Sequence, residues 1–278
     1  MKKTLLFLAL LMMIVSSVYA GPSAMMEAVG LGKGKTSVTV FYSGNRQSGN
    51  YDTNSSYAGE DSNADTYLFD SGGAGLRINY GLLDNIDIYI SYVNDKVKDD
   101  EFIGSLNYPG GVSTDSSKML FGSSSSCGLK YAFIKGPLDI ALYIDYESSV
   151  YRFEYGYTAW VVPPTPFITD IDHSRTSYSL GMIMSSQLNF LTPYIGVGYR
   201  SFNVEEKTQD LDIKVSGTAW TANIGFKWHI FNGLSLYIDE SVENQMWSKG
   251  IDEAHHSITF DDRSGQTSSF SCGLQAVL

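Results

Sequence analysis

Four clusters in this chain hold side chains that could do chemistry. Asp170-Ile171-Asp172-His173 places carboxylates beside an imidazole, a pairing that can activate water by general base catalysis. His255-His256, close to Asp252 and Glu253, offers metal-ligating types, and Asp99-Asp100-Glu101 and Asp261-Asp262 offer hard oxygen donors. Each has a plainer reading. Neighbouring residues on an extended strand point to opposite faces, so His255 and His256 would not both meet one ion. The acidic runs lack the twelve-residue pattern of a calcium loop. No phosphate loop, nucleophile elbow or dinucleotide fingerprint is present. The sequence therefore calls for no metal, no cofactor and no catalytic residue, and interest moves to the elements that would carry these clusters.

Those elements repeat. Five segments begin with a glycine and then alternate: Gly75-Leu76-Arg77-Ile78, Gly128-Leu129-Lys130-Tyr131, Gly181-Met182-Ile183-Met184, Gly225-Phe226-Lys227-Trp228 and Gly273-Leu274-Gln275-Ala276. A tyrosine element interleaves with them: Ile88-Tyr89-Ile90, Leu142-Tyr143-Ile144, Pro193-Tyr194-Ile195 and Leu236-Tyr237-Ile238, with Phe41-Tyr42-Ser43-Gly44 as a weaker first copy. Tight connections rich in Gly, Pro and Asn lead from each glycine element but the last to the next tyrosine element. They are Leu82-Leu83-Asp84-Asn85, Lys135-Gly136-Pro137, Asn189-Phe190-Leu191 and Phe231-Asn232-Gly233. Long polar stretches, at about 44–71, 94–122, 152–173, 203–212 and 247–264, follow the tyrosine elements. Strict alternation of short turns and long loops over ten segments predicts a ten-stranded antiparallel up-and-down transmembrane β-barrel with short periplasmic turns and long outer loops. In Leu138–Tyr146 every even position is apolar or aromatic, and the nine residues match the roughly 9–11 that a tilted strand needs to cross a bilayer.

The chain starts as an exported protein does. Lys2-Lys3, an apolar run from Leu5 to Val15 and Val18-Tyr19-Ala20 before Gly21 predict a signal peptide over residues 1–20. Residues 21–34 are expected to form an N-terminal periplasmic segment, and 35–278 the barrel. A formal net charge of −11 for the whole chain argues against nucleic acid as a partner. Cys127 and Cys272 fall on the predicted lipid face of non-neighbouring strands, so two free, buried thiols are expected. Tyr80, Tyr92, Phe133, Tyr146, Phe190, Tyr199 and Trp228 sit near strand ends, where an aromatic girdle belongs.

On this pattern the chain resembles the small single-chain outer-membrane β-barrel proteins of Gram-negative bacteria over its whole mature length. The resemblance implies residence in the outer membrane, contact with its lipid and insertion by the outer-membrane assembly machinery. One feature departs from the class: the last strand ends on Leu278 instead of an aromatic residue. Asp170–His173 also invites comparison with omptins, ten-stranded surface proteases that use acidic pairs and an Asp–His pair at the rim. A second acidic pair would then be needed, and Asp61 and Asp65 lack the closely spaced, aromatic-flanked motif of that family. A solvated polar loop is the expected reading.

Alternation assigns a lumen. If Leu76, Leu129 and Phe226 face lipid, Arg77, Lys130 and Lys227 face inward. Asp87, Tyr89, Asp139, Tyr143, Asp145, Tyr194, Arg200, Tyr237 and Asp239 follow by the same parity. Lys130 is expected beside Tyr143 or Asp145, Lys227 beside Tyr237 or Asp239, and Arg77 beside Tyr89 or Ser91. Ten strands enclose little more than their own side chains, so these groups are expected to brace and plug the barrel. The expected function is structural or surface-binding, through long acidic loops carrying Tyr155, Tyr157 and Trp160 toward an extracellular ligand or protein. A narrow channel for small solutes is the second reading, and a rim protease the third.

Overall fold

The computed structural model describes residues 27–51, 65–97, 104–108, 111–159, 165–207, 212–252, 257–258 and 264–278. It is all β. The strands are β1 (Thr36–Tyr51), β2 (Asp65–Leu83), β3 (Ile86–Val97), β4 (Gly104–Tyr108), β5 (Gly111–Ile134), β6 (Asp139–Ala159), β7 (Thr165–Ser185), β8 (Leu191–Lys207), β9 (Asp212–Phe231), β10 (Leu234–Asp252), β11 (Ser257–Ile258) and β12 (Ser264–Val277). β4 and β11 are short additions to β5 and β10. The other ten pair antiparallel with their chain neighbours and close into a ring, because β12 pairs with β1 from Ser37↔Val277 to Asn50↔Ser264. The predicted fold class and strand count are those observed.

At one end the connections are short. Asp84-Asn85 joins β2 to β3, and Asn232-Gly233 joins β9 to β10, with Gly233 at a φ of +80° that suits glycine. At the other end the expected loops are largely strand. β6 and β7 stay paired from Asp139↔Ser185 out to Ala159↔Thr165, through most of the stretch expected to be a loop at 152–173. β5, with 24 residues, is more than twice as long as a membrane crossing needs. The reason lies in the sequence of β6: Tyr151, Phe153, Tyr155 and Tyr157 keep a strand-favouring alternation after the apolar face has ended. The loss of the lipid-facing apolar set marks the end of the apolar band, and it does not mark irregular backbone.

The wall has the polarity of a molecule built to face lipid. Val40, Ile90, Ile144, Leu180 and Leu274 are exposed on the outside. Serines, threonines and charged residues dominate the buried set among the described residues, the reverse of a soluble β-sandwich. On β9 the outward Trp220 and Trp228 bracket residues 220–228, close to the roughly 9–11 residues of one crossing. The Tyr146 and Tyr178 rings lie tilted against each other at 5.1 Å and Tyr199 meets Trp220 edge-on at 5.3 Å, forming part of the girdle at the long end.

The sequence repeat has a packing cause. Each inward aromatic lies directly across a hairpin from the glycine that follows it in the chain: Phe41↔Gly75, Tyr89↔Gly128, Tyr143↔Gly181, Tyr194↔Gly225 and Tyr237↔Gly273. A Cβ added at Gly128 or Gly181 would sit 2.5 Å from the Cζ of the facing tyrosine ring. The glycines are therefore seats for the rings.

Candidate functional site

The candidate site is the lumen, and it is filled at three levels. The first is the mouth at the short-turn end. Residues 27–31 turn into it ahead of β1, and Ala28 is fully buried there. Lys130 Nζ donates to the carbonyls of Glu27 (2.9 Å) and Val29 (2.6 Å) while pairing with Asp87 at 3.1 Å. Asp87 accepts from the N–H of Leu31 at 3.1 Å, and Ser185 Oγ accepts from the N–H of Ala28 at 3.1 Å. The Glu27 carboxylate takes Lys227 Nζ at 2.6 Å and the Tyr237 hydroxyl at 3.3 Å. Backbone bonds between Gly34 and Gly81, and between Gly81 and Lys35, fix the entry to β1.

The second level is a belt of rings. Phe41, Tyr89, Tyr143, Tyr194 and Tyr237 are buried and form one contiguous cluster with Ala28 of the inserted segment. The Arg77 guanidinium lies 4.3 Å from the centroid of the Tyr89 ring, and the Lys227 ammonium 5.4 Å from that of Tyr237. A cavity of about 30 Å³ remains beside Glu27, Asp87, Tyr89, Lys130 and Tyr237, room for about one or two waters.

The third level is an ion network toward the long end. Glu243 accepts from Arg175 at 2.5 Å, from Arg200 at 2.8 Å and from Gln245 at 2.8 Å. Arg200 also pairs with Glu147 at 3.4 Å and donates to Ser179 Oγ at 3.0 Å. Buried charges persist in protein only when paired and hydrogen-bonded, and here two guanidinium groups answer two carboxylates.

Arg77, Asp87, Tyr89, Lys130, Asp139, Tyr143, Tyr194, Arg200, Lys227, Tyr237 and Asp239 are all buried in the structure, and Asp145 is half-buried. Lys130 stands opposite Tyr143 in register, yet its ammonium goes to Asp87 on the other neighbouring strand. Lys227 takes Glu27 as its carboxylate, and Arg77 sits opposite Ser91 against the Tyr89 ring. Asp139 caps its own turn by accepting from Gly136 N–H at 3.0 Å. Sequence reasoning passed over Glu147, Arg175, Glu243 and Gln245, and it assigned residues 27–31 to the periplasmic segment without a place in the lumen. The strand residues share the parity of Asp145, Ser177 and Asp239, so carrying the alternation outward would have found them. Nothing periodic marks Glu27.

At the rim, Arg152 grips Asp172 with two bonds, at 2.6 and 2.9 Å. Those hydrogen bonds hold the Asp172 carboxyl below its ordinary value. The His173 ring lies 6.1 Å from that of Tyr151. The carboxylate of the suspected pair is thus bound to a guanidinium, an arrangement that braces β6 on β7. Glu205 bridges Lys207 at 3.0 Å and Lys214 at 3.2 Å, and both hold its carboxyl low. Cys127 and Cys272 are free; Cys127 is exposed, contrary to the expected burial, because its side of β5 is the outer wall. Asp61, Asp99, Asp100, Glu101, Trp160, Glu253, His255, His256, Asp261 and Asp262 lie outside the described residues. Among the described residues no three metal-ligating side chains gather.

No protein-family profile matches the sequence, and no curated protein matches it. Solved structures do. The outer membrane protease OmpT from Escherichia coli aligns over 88% of this chain and 97% of its own, with a TM-score of 0.59 at 12% identity. The chain folds as an outer-membrane β-barrel. The translocator domain of the autotransporter NalP from Neisseria meningitidis aligns over 86% of this chain and 88% of its own, with a TM-score of 0.46 at 8% identity. OprG from Pseudomonas aeruginosa aligns over 91% of this chain and 99% of its own, with a TM-score of 0.37 at 9% identity. At these identities the likeness is one of fold.

Proposed function

We propose that this chain is a closed barrel of the bacterial outer membrane that acts through its long outer β-extension, in a structural or surface-binding role, and not by passing solutes. The supporting observation is the filled lumen: an inserted segment, a belt of five rings and a buried ion network occupy successive levels. The short turns then face the periplasm, the apolar wall faces outer-membrane lipid, and the paired extensions of β5, β6 and β7 face outward. An extracellular ligand or protein is the partner of that extension, and the assembly machinery inserts the barrel. No step of OmpT chemistry is carried over, because Asp172 is committed to Arg152.

Single-channel recording of the refolded mature chain in a planar bilayer, with insertion verified separately, tests this. Silence is the expected result. Discrete steps that change in Asp145→Asn or Lys130→Gln would replace the reading with a narrow channel. Peptide cleavage lost in His173→Ala would replace it with a hydrolytic one.

A further inference from the structure

The periplasmic mouth holds a piece of its own chain much as a receptor holds a ligand. No strand pairing fixes residues 27–31 to the wall. Side chains do. Lys130 reads two main-chain carbonyls, Asp87 reads the N–H of Leu31, and Ser185 reads the N–H of Ala28. These main-chain groups are common to every peptide, so this part of the grip does not depend on sequence. The exception is the Glu27 carboxylate, taken by Lys227 and Tyr237. Lys130, Lys227 and Asp87 are themselves buried and converge from β5, β9 and β3. Ala28 fits where a larger side chain would meet the ring belt.

We propose that the periplasmic mouth is a binding site for a short acidic peptide segment, read by its backbone and one carboxylate, occupied in cis by residues 27–31 and open to exchange with a segment of the same chemistry supplied in trans. The inference deepens the closed-barrel reading, since the resident segment is part of what fills the lumen.

The test uses the mature chain shortened to begin at Lys33, refolded in detergent, with folding checked by its heat-dependent gel mobility. The probe is a fluorescent hexapeptide of sequence EAVGLG. Saturable binding to the shortened barrel is expected, with little binding to the full-length mature chain. Replacing the peptide's glutamate by glutamine, or Lys227→Gln in the barrel, should weaken binding about tenfold or more, since charge-assisted hydrogen bonds are lost. A folded, shortened barrel that ignores the peptide, or binds the glutamine form equally well, overturns the proposal. Should the shortened chain fail to fold, Ala28→Cys in a full-length Cys127→Ser, Cys272→Ser background gives a second readout. Its thiol should react slowly with a water-soluble maleimide, and faster when Lys227→Gln is added or excess peptide is present. Fast labelling with both lysines intact overturns the proposal too. Conductance by the full-length mature chain would refute the closed-barrel reading alone, whereas a silent barrel that fails these binding tests refutes this one alone.

Discussion

Glu243 is 1% exposed and serves Arg175, Arg200 and Gln245 at once. Removing its charge leaves two buried guanidinium groups short of a partner, which costs about 3–5 kcal/mol for a buried pair. Glu243→Gln should therefore lower the temperature at which the folded gel band disappears, far more than Glu205→Gln at the solvated rim. Adding Arg175→Gln to Glu243→Gln should recover part of the loss, because it removes one orphaned charge. Asp172 gives the opposite case, a partly exposed carboxylate in a water-facing pair. Its folded value is depressed, so whatever stability the pair supplies is fully present above the ordinary carboxylate range and is lost as pH falls through the lower folded value. A carboxyl-carbon NMR titration should place the Asp172 midpoint below that of an unpaired aspartate, and the depression should vanish in Arg152→Gln.

The ring-on-glycine pairs govern each hairpin. Gly181→Val would push a side chain into Tyr143 and should destabilise the barrel by about 1–3 kcal/mol through overpacking. Tyr143→Ala should absorb much of that penalty, so a double-mutant cycle on the two positions should show strong coupling. The glycine and tyrosine motifs were legible in the sequence because four of the five recur with fixed parity, which also placed Arg77, Lys130 and Lys227 inside; in the first copy the inward ring is Phe41, and Tyr42, on which the motif centred, is exposed. The outer halves of β5, β6 and β7 were not legible. There the parity that is apolar lower down turns polar, as at Arg152, Glu154 and Thr158 of β6, so the pattern of a lipid-facing strand ends and only β-propensity remains to distinguish strand from loop. The inserted segment was hidden for another reason. Lys130 and Lys227 lie 103 and 200 residues from Glu27, and a run of five residues carries no periodicity.

For the whole molecule the deciding property is inverted polarity. Trp220 and Trp228 face outward at opposite ends of the apolar band on β9. In single-tryptophan variants, lipids brominated near the headgroup should quench both strongly, and lipids brominated at the chain terminus should quench both weakly. Equal insensitivity to all positions would mean that the band does not meet lipid. The ring itself sets an order of events. β1 lies beside β12, and Leu278 N–H donates to Thr36 O at 2.8 Å, so β1 finds its second neighbour only once β12 is in place. Until then two open strand edges wait, each able to zip onto another chain. A barrel whose β1 and β12 have not yet met is thus an unfinished sheet with two adhesive margins, and each copy closes only if it is kept apart from its siblings until its two ends are in one place.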